Sequence, residues 1–273
     1  MPKFILLIFL VFISYGLKAQ TFEMGGGIGG AGYMGDLNML NPLKVSGPSG
    51  SLFIKYNFDG YWSLKAAFTI GSISAADSTS SFAQLKERNL SFTTTLYEPS
   101  ILVEFNFFNY VPQLGRNVWT PYMFAGFAAV AYYPTTVYDG VKYDLRGLHT
   151  EGEKKVYSTF ARAIPYGAGL KYNFAGSFTL GAEIGYRNPN TDYLDDVSTT
   201  YVGVTRFPVN SVAAALQDRS IQITPQSALG IAGKQRGNSS SYDQYLMALI
   251  TLSWHFTTYR CPANMDSDFI RAY

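Results

Sequence analysis

Two histidines come first when the chain is searched for chemistry, because imidazole is the simplest general base near neutral pH. They are His149 and His255. Hydrolysis would need one of them grouped with a nucleophile and an orienting acid. No Ser or Asp shares a strand face with His255 at a usable spacing. His149 has Asp144 and Glu151 as sequence neighbours, which is ordinary loop composition. Both are read as structural. Gly25-Gly26-Gly27 and Gly29-Gly30 lack the Lys-Ser/Thr ending and following helix of a phosphate loop, so they point to close strand approach instead. Asp192, Asp195 and Asp196, with Tyr193 among them, could offer oxygens to calcium. Their spacing does not match D-x-D-x-D-G, and a solvated or capping role is expected. Cys261 is the single cysteine, which excludes an internal disulfide framework and a zinc site built on several thiolates. No catalytic residue, metal or cofactor is implied.

The elements that must position these residues have a period of two. In the last apolar segment Leu246, Ala248, Ile250, Leu252, Trp254 and Phe256 alternate with Tyr245, Met247, Leu249, Thr251, Ser253 and His255. The same alternation runs through Trp62–Ile70, Pro99–Phe107 and Phe178–Tyr186, and it marks strands with two unlike faces. Eight strands are expected, at 22–35, 47–58, 61–72, 92–107, 119–133, 161–174, 177–187 and 242–257. The polar face carries Glu23, Lys55, Lys65, Glu98, Glu104, Lys171, Glu183, Arg187 and His255. An eight-stranded barrel has a lumen just wide enough for side chains to fill. Charges of both signs there predict a salt-bridged plug rather than a pore, since an unpaired buried charge is costly.

Composition gives the setting. The chain of 273 residues is 47% apolar and 16% aromatic but only 15% charged, against roughly 25% in an ordinary soluble domain. Lys3, the apolar run Phe4–Ile13 and Ala19 read as a secretory signal peptide over 1–19. Its loss removes Lys3 and Lys18 and leaves a neutral chain without a basic stripe, so nucleic acid is not an expected partner. Outside this leader, no apolar run reaches the roughly 18 residues of a helical span. Connections alternate between short (59–60, 108–118, 175–176) and long (36–46, 73–91, 134–160, 188–241). That is the pattern of an outer-membrane barrel with short periplasmic turns, long external loops and both termini in the periplasm. Tyr61, Trp62, Phe107, Phe108, Trp119, Phe174, Phe178, Trp254 and Phe256 cluster beside the short turns as an interfacial girdle. A water-soluble sandwich or barrel is the competing architecture. Within the fourth long loop, a short amphipathic stretch near Val209–Arg219 has Asn210 as a fair helix cap. The domain plan is a leader (1–19), an antiparallel transmembrane barrel (20–257) and a periplasmic tail (258–273).

The leader ending in Ala19-Gln20, the eight strands, the stretch Thr191-Asp192-Tyr193-Leu194-Asp195-Asp196-Val197-Ser198 and the tail Tyr259-Arg260-Cys261-Pro262 together resemble the PorG-like family of outer-membrane barrels. The resemblance covers nearly the whole mature chain, and it implies a non-enzymatic component of type IX protein secretion and gliding machinery. It further implies two partners, outer-membrane lipid and the periplasmic ring lipoprotein that the barrel would anchor. A general adhesin-like barrel binding through its loops, or a barrel hydrolase of lipid or peptide, are the alternatives. Cys261 lies on the expected periplasmic side, which is oxidising. An odd cysteine in an exported chain suggests an intermolecular disulfide or a free thiol. With neighbours Arg260 and Pro262, it is the candidate partner contact, the ring lipoprotein being first choice on the resemblance.

Overall fold

The computed structural model describes residues 21–111, 117–225 and 228–256. The expected leader, the tail 258–273 and its Arg260, Cys261 and Pro262 lie outside them. Nine strands form: β1 Thr21–Met34, β2 Gly47–Asn57, β3 Trp62–Ala76, β4 Ser91–Asn106, β5 Trp119–Tyr138, β6 Val141–Asp144, β7 Phe160–Asn173, β8 Phe178–Pro189 and β9 Gln244–Phe256. Eight of them pair antiparallel with their neighbours in chain order. β1 meets β9, and β4 meets β5 directly, so the sheet closes on itself.

Strand boundaries fall within a few residues of the sequence expectation except in β5. The expected loop 134–160 is a strand as far as Tyr138, which turns back through Asp139-Gly140 into β6. Both turn residues have positive φ, 49° and 77°, as a two-residue type I′ hairpin requires. The Asp-Gly dipeptide was the available cue. At the other rim the β2–β3 turn is fixed by Asp59, whose Oδ1 accepts the Tyr61 and Trp62 N–H groups, both at 2.7 Å. The β7–β8 turn uses Gly176 at φ 65°.

The alternation resolves into an apolar outside and a polar inside. Ile28, Leu52 and Phe127 are 76%, 71% and 77% exposed on the outer wall. Among the barrel strands Arg162, near the loop end, is the one charged side chain facing outward. Trp254–Phe256 and Phe108–Trp119 ring pairs, 4.4 and 5.1 Å apart, belt the short-turn rim. Tyr97–Tyr133 and Tyr166–Tyr186 pairs stand nearer the loop ends. Only hydrocarbon desolvates such a wall at no cost, and the eight barrel strands, of 11 to 20 residues, exceed the roughly 9–11 needed to cross a bilayer. The barrel is a membrane-spanning one. No helix among the described residues is long and apolar enough to cross.

Candidate functional site

The inward positions converge on a charge network in the half of the lumen nearest the short turns. Registers put Glu23 beside Lys55 and His255, and Lys55 beside Lys65. Glu104 lies at its centre. Its Oε2 takes Lys171 at 2.6 Å and Lys55 at 3.0 Å, and its Oε1 faces Lys65 at 3.7 Å. Lys65 also holds Glu183 at 2.8 Å, and Lys55 holds Glu23 at 3.3 Å. Further toward the loops, Arg187 pairs with Glu98 at 3.4 Å, and the Tyr245 hydroxyl donates to Glu98. All eight ionic side chains expected inside are buried there. They comprise four acids and four bases, so the lumen carries no net charge.

Aromatic rings pack against the ion pairs. The Lys171 ammonium lies 4.2 Å from the Tyr122 ring centroid, and the Tyr122 hydroxyl donates to Glu183 at 2.7 Å. Space for Tyr122 comes from Gly169, where a Cβ would stand 2.6 Å from the ring. The close approach read for the β1 glycines is also present, a Cβ at Gly25 falling 2.7 Å from the Phe53 ring and one at Gly29 1.9 Å from the Ala248 carbonyl oxygen.

His255 is less isolated than the sequence indicates. Its Nε2 is 2.9 Å from the Thr179 hydroxyl and its Nδ1 3.8 Å from Glu23. The order hydroxyl–imidazole–carboxylate is that of a nucleophilic triad, assembled from three strands and so invisible to single-strand spacing. Thr179 and His255 are 3% and 2% exposed, and the Thr179 hydroxyl is shared with Tyr110 at 2.7 Å. Among the described residues the trio is buried at the short-turn end of the plug. His149 does not meet Asp144 or Glu151. It is half-exposed, and its Nδ1 faces Glu153 at 3.9 Å.

Over the opposite mouth the long connections fold into a cap, where the Asp motif meets the capping half of its expectation, Asp195 Oδ1 accepting the Val197 N–H at 2.9 Å, but not the solvated half. Asp192, Asp195 and Asp196 are buried, not solvated. Leu194 between them is fully buried, and its carbonyl accepts the Thr94 hydroxyl at 2.5 Å. The motif is a stopper whose backbone is fastened to the barrel wall. Asp195 Oδ2 and Asp243 Oδ1 lie 2.5 and 2.8 Å from the single Tyr33 hydroxyl. One hydroxyl proton cannot serve two anions, so the pair keeps an additional proton. Burial first, then the facing carboxylate, pushes Asp195 well above the carboxylate range; burial does the same for Asp243. Asp196 accepts from Thr150 at 2.6 Å and Tyr157 at 2.7 Å, and burial raises it to about 7 against the pull of Arg236. Tyr193 stacks on Tyr157 at 4.5 Å.

Sequence reasoning passed over two arginines that tie the cap together. Arg88 grips Asp77 at 2.7 and 2.8 Å and donates to the Arg236 carbonyl. Arg236 in turn holds Glu151 at 3.0 Å. Asp77 lies 11 residues from Arg88 in the same connection, while the Arg236 carbonyl and Glu151 reach from other loops, so no short-range spacing announces them. The short helix Val212–Gln217 forms where amphipathicity indicated, but its cap is Ser211, which accepts from Ala214 N–H, and not Asn210. Asn210 sits at φ 57°, unsuited to a cap's extended backbone. No group of three or more His, Cys, Asp or Glu is placed to hold a metal ion among the described residues.

Solved structures with a similar course include the outer membrane protein OprG from Pseudomonas aeruginosa, at 11% identity over 89% of this chain and 99% of that one, TM-score 0.41. A major outer membrane protein from Thermus thermophilus has 12% identity over 88% and 100%, TM-score 0.40. Ail, the attachment invasion locus protein of Yersinia pestis, has 10% over 88% and 100%, TM-score 0.39. At such scores the barrel assignment stands on this chain's own strand pairings. No curated protein has a matching sequence. Residues 2–204 match a family described as "Domain of unknown function (DUF6089)".

Proposed function

The chain belongs to the DUF6089 family, and on that premise we propose that it is a non-enzymatic outer-membrane barrel anchoring the periplasmic ring of a type IX-like secretion machine to the outer membrane. The observation that carries the reading is the filled lumen. Its four acids and four bases are buried and paired with one another. A lumen filled with paired charges, and a hydroxyl–imidazole pair buried at Thr179 and His255, favour work done by the wall and the two ends. The wall holds outer-membrane lipid. The short-turn end, with the tail 258–273, is the surface for the ring lipoprotein, and Cys261 between Arg260 and Pro262 is the proposed disulfide contact. The partner's identity rests on the Asp-motif and tail resemblance to PorG-like barrels, and the periplasmic side of both termini on the alternation of short and long connections.

A mild-detergent pull-down of the native protein, identified by mass spectrometry, tests the anchor. The ring lipoprotein should co-purify, and non-reducing gels should show an adduct that disappears with reductant and with Cys261→Ser. Recovery of the barrel alone would overturn the reading. Planar-bilayer recordings of the refolded protein should show no conductance steps. A second reading, adhesion through the cap, is favoured by apolar side chains on the external loops. Val209, Ile231 and Tyr242 are among the most exposed in the molecule.

A further inference from the structure

β3, β4 and β5 are the longest strands, and toward their loop ends the outward faces change from apolar to hydroxyl-bearing. Ser74, Thr93 and Thr135 stand in one row across the three strands, with Ser91 in the next row out. Lys44, Ser46 and Thr79 from the first two long connections complete a groove of about 390 Å³ against this wall. Ser46 is fixed as part of it, its Oγ accepting the Ser74 N–H at 2.9 Å. Arg219 of the long fourth loop reaches the other side, with Nη1 donating to Ser91 Oγ at 2.7 Å and to Thr136 Oγ1 at 3.3 Å.

One cation, Lys44, lines the groove, a second, Arg219, is bonded to its lining hydroxyls Ser91 and Thr136, and no anion lines it. Among the described residues neither Lys44 nor Arg219 has a carboxylate within ion-pair distance. Arg219 Nε is buried with no hydrogen-bond partner. Asp77, whose field reaches Arg219, is already gripped by Arg88 at 2.7 and 2.8 Å. Burial therefore weakens the Arg219 guanidinium's hold on its proton, keeping it below its ordinary range. An anion in the groove would compensate a guanidinium charge that no carboxylate meets.

Height fixes the kind of anion. The outward Tyr97–Tyr133 pair, 6.2 Å between centroids, marks the membrane interface below the groove. Thr93 lies four residues farther along β4, about 13 Å of strand, which is headgroup level. Met39, Leu40, Leu43 and Val45 are exposed around Lys44, the mixture of apolar side chains and a snorkelling cation that suits an interface. Hydroxyls both donate and accept, as a saccharide demands. We propose that this groove binds the phosphorylated saccharide headgroup of an outer-leaflet glycolipid, with the phosphate on Lys44 and Arg219 and the sugar on the Ser/Thr wall. The assignment rests on the membrane-spanning barrel, not on the secretion partner.

The test uses the full mature chain refolded in detergent, with folding checked by heat-shifted gel mobility and insertion checked separately in phosphatidylcholine vesicles. Rough lipopolysaccharide is titrated in its phosphorylated form and after enzymatic dephosphorylation, with glucose 1-phosphate and inorganic phosphate as soluble arms. The expected result is binding of the phosphorylated lipid at least tenfold tighter than its dephosphorylated form. Lys44→Gln/Arg219→Gln should erase that difference, and Arg219→Lys should restore part of it. Thr93→Trp, which fills the groove from an exposed position outside every cap contact, should also lower affinity at least tenfold, so misfolding of the double variant leaves a second readout. Equal binding of both lipid forms, or unchanged affinity in Thr93→Trp, would overturn the proposal. Inorganic phosphate or glucose 1-phosphate binding as tightly as the lipid would overturn the lipid source and leave a free-anion site. Failure to insert into vesicles would sink the membrane reading instead.

Discussion

Glu104 faces three ammonium groups at 2.6, 3.0 and 3.7 Å, so it is the residue on which the lumen's neutrality turns. Glu104→Gln keeps the shape and removes the charge, leaving buried lysines short of a counter-ion. It should destabilise the barrel by about 3–5 kcal/mol, the usual cost of breaking a buried pair, measured by urea unfolding in detergent. Adding Lys171→Met should recover part of the loss; a double variant as unstable as the sum of the singles would contradict the pairing. The second prediction concerns protons in the cap. Asp195, Asp243 and Asp196 titrate in the fold above the roughly 3.9 of an unfolded Asp. Their contribution to stability is thus fully present below that range and lost as pH rises through the folded values, about 7 for Asp196. The aromatic circular-dichroism melting midpoint should fall between about pH 4 and about pH 7, and Asp243→Asn, which fixes the neutral form, should flatten that fall. A midpoint that climbs over the interval would refute the shared proton. The sequence marked Asp192, Asp195 and Asp196 as distinctive but not as buried, because their partners Tyr33, Tyr157 and Asp243 are distant in the chain.

At the scale of the strand, legibility follows periodicity. Every barrel strand and all eight lumen ion-pair residues were readable, since one face must meet hydrocarbon and the other a packed interior. Leu180 and Ile250 are outward and exposed, while Thr179 between the same strands is buried. Leu180→Arg or Ile250→Arg should therefore cost about 2–4 kcal/mol near mid-depth, and Thr179→Ser much less, in the same unfolding assay. Equal costs on the two faces would remove the membrane from the picture. The cap had no such period to read. Arg88 finds Asp77 across a loop, and Arg236 finds Glu151 at a separation of 85 residues. Long-range polar pairing leaves no local trace, although Asp139-Gly140 did leave one that marks the β5–β6 hairpin.

For the whole molecule, the segregation of short and long connections predicts which surface faces outward. Single cysteines placed at Asp139 and Ser239, both exposed, in a Cys261→Ser background should react with an impermeant maleimide on intact cells. One at Ala175 should react only after the outer membrane is breached; the reverse pattern would invert the barrel. The seam between the first and last strands has a different consequence, for biogenesis. β9 pairs with both β1 and β8, so until those final residues arrive two edges stay open and Glu23 lacks Ser253 and His255. The fourth loop, which precedes β9, must cross to the far side before the ring shuts. A barrel not yet closed at that seam carries bare strand edges, and its Glu23 is held by Lys55 alone of its β-strand neighbours. Closure at this seam should therefore be cooperative, because β9 satisfies both edges at once.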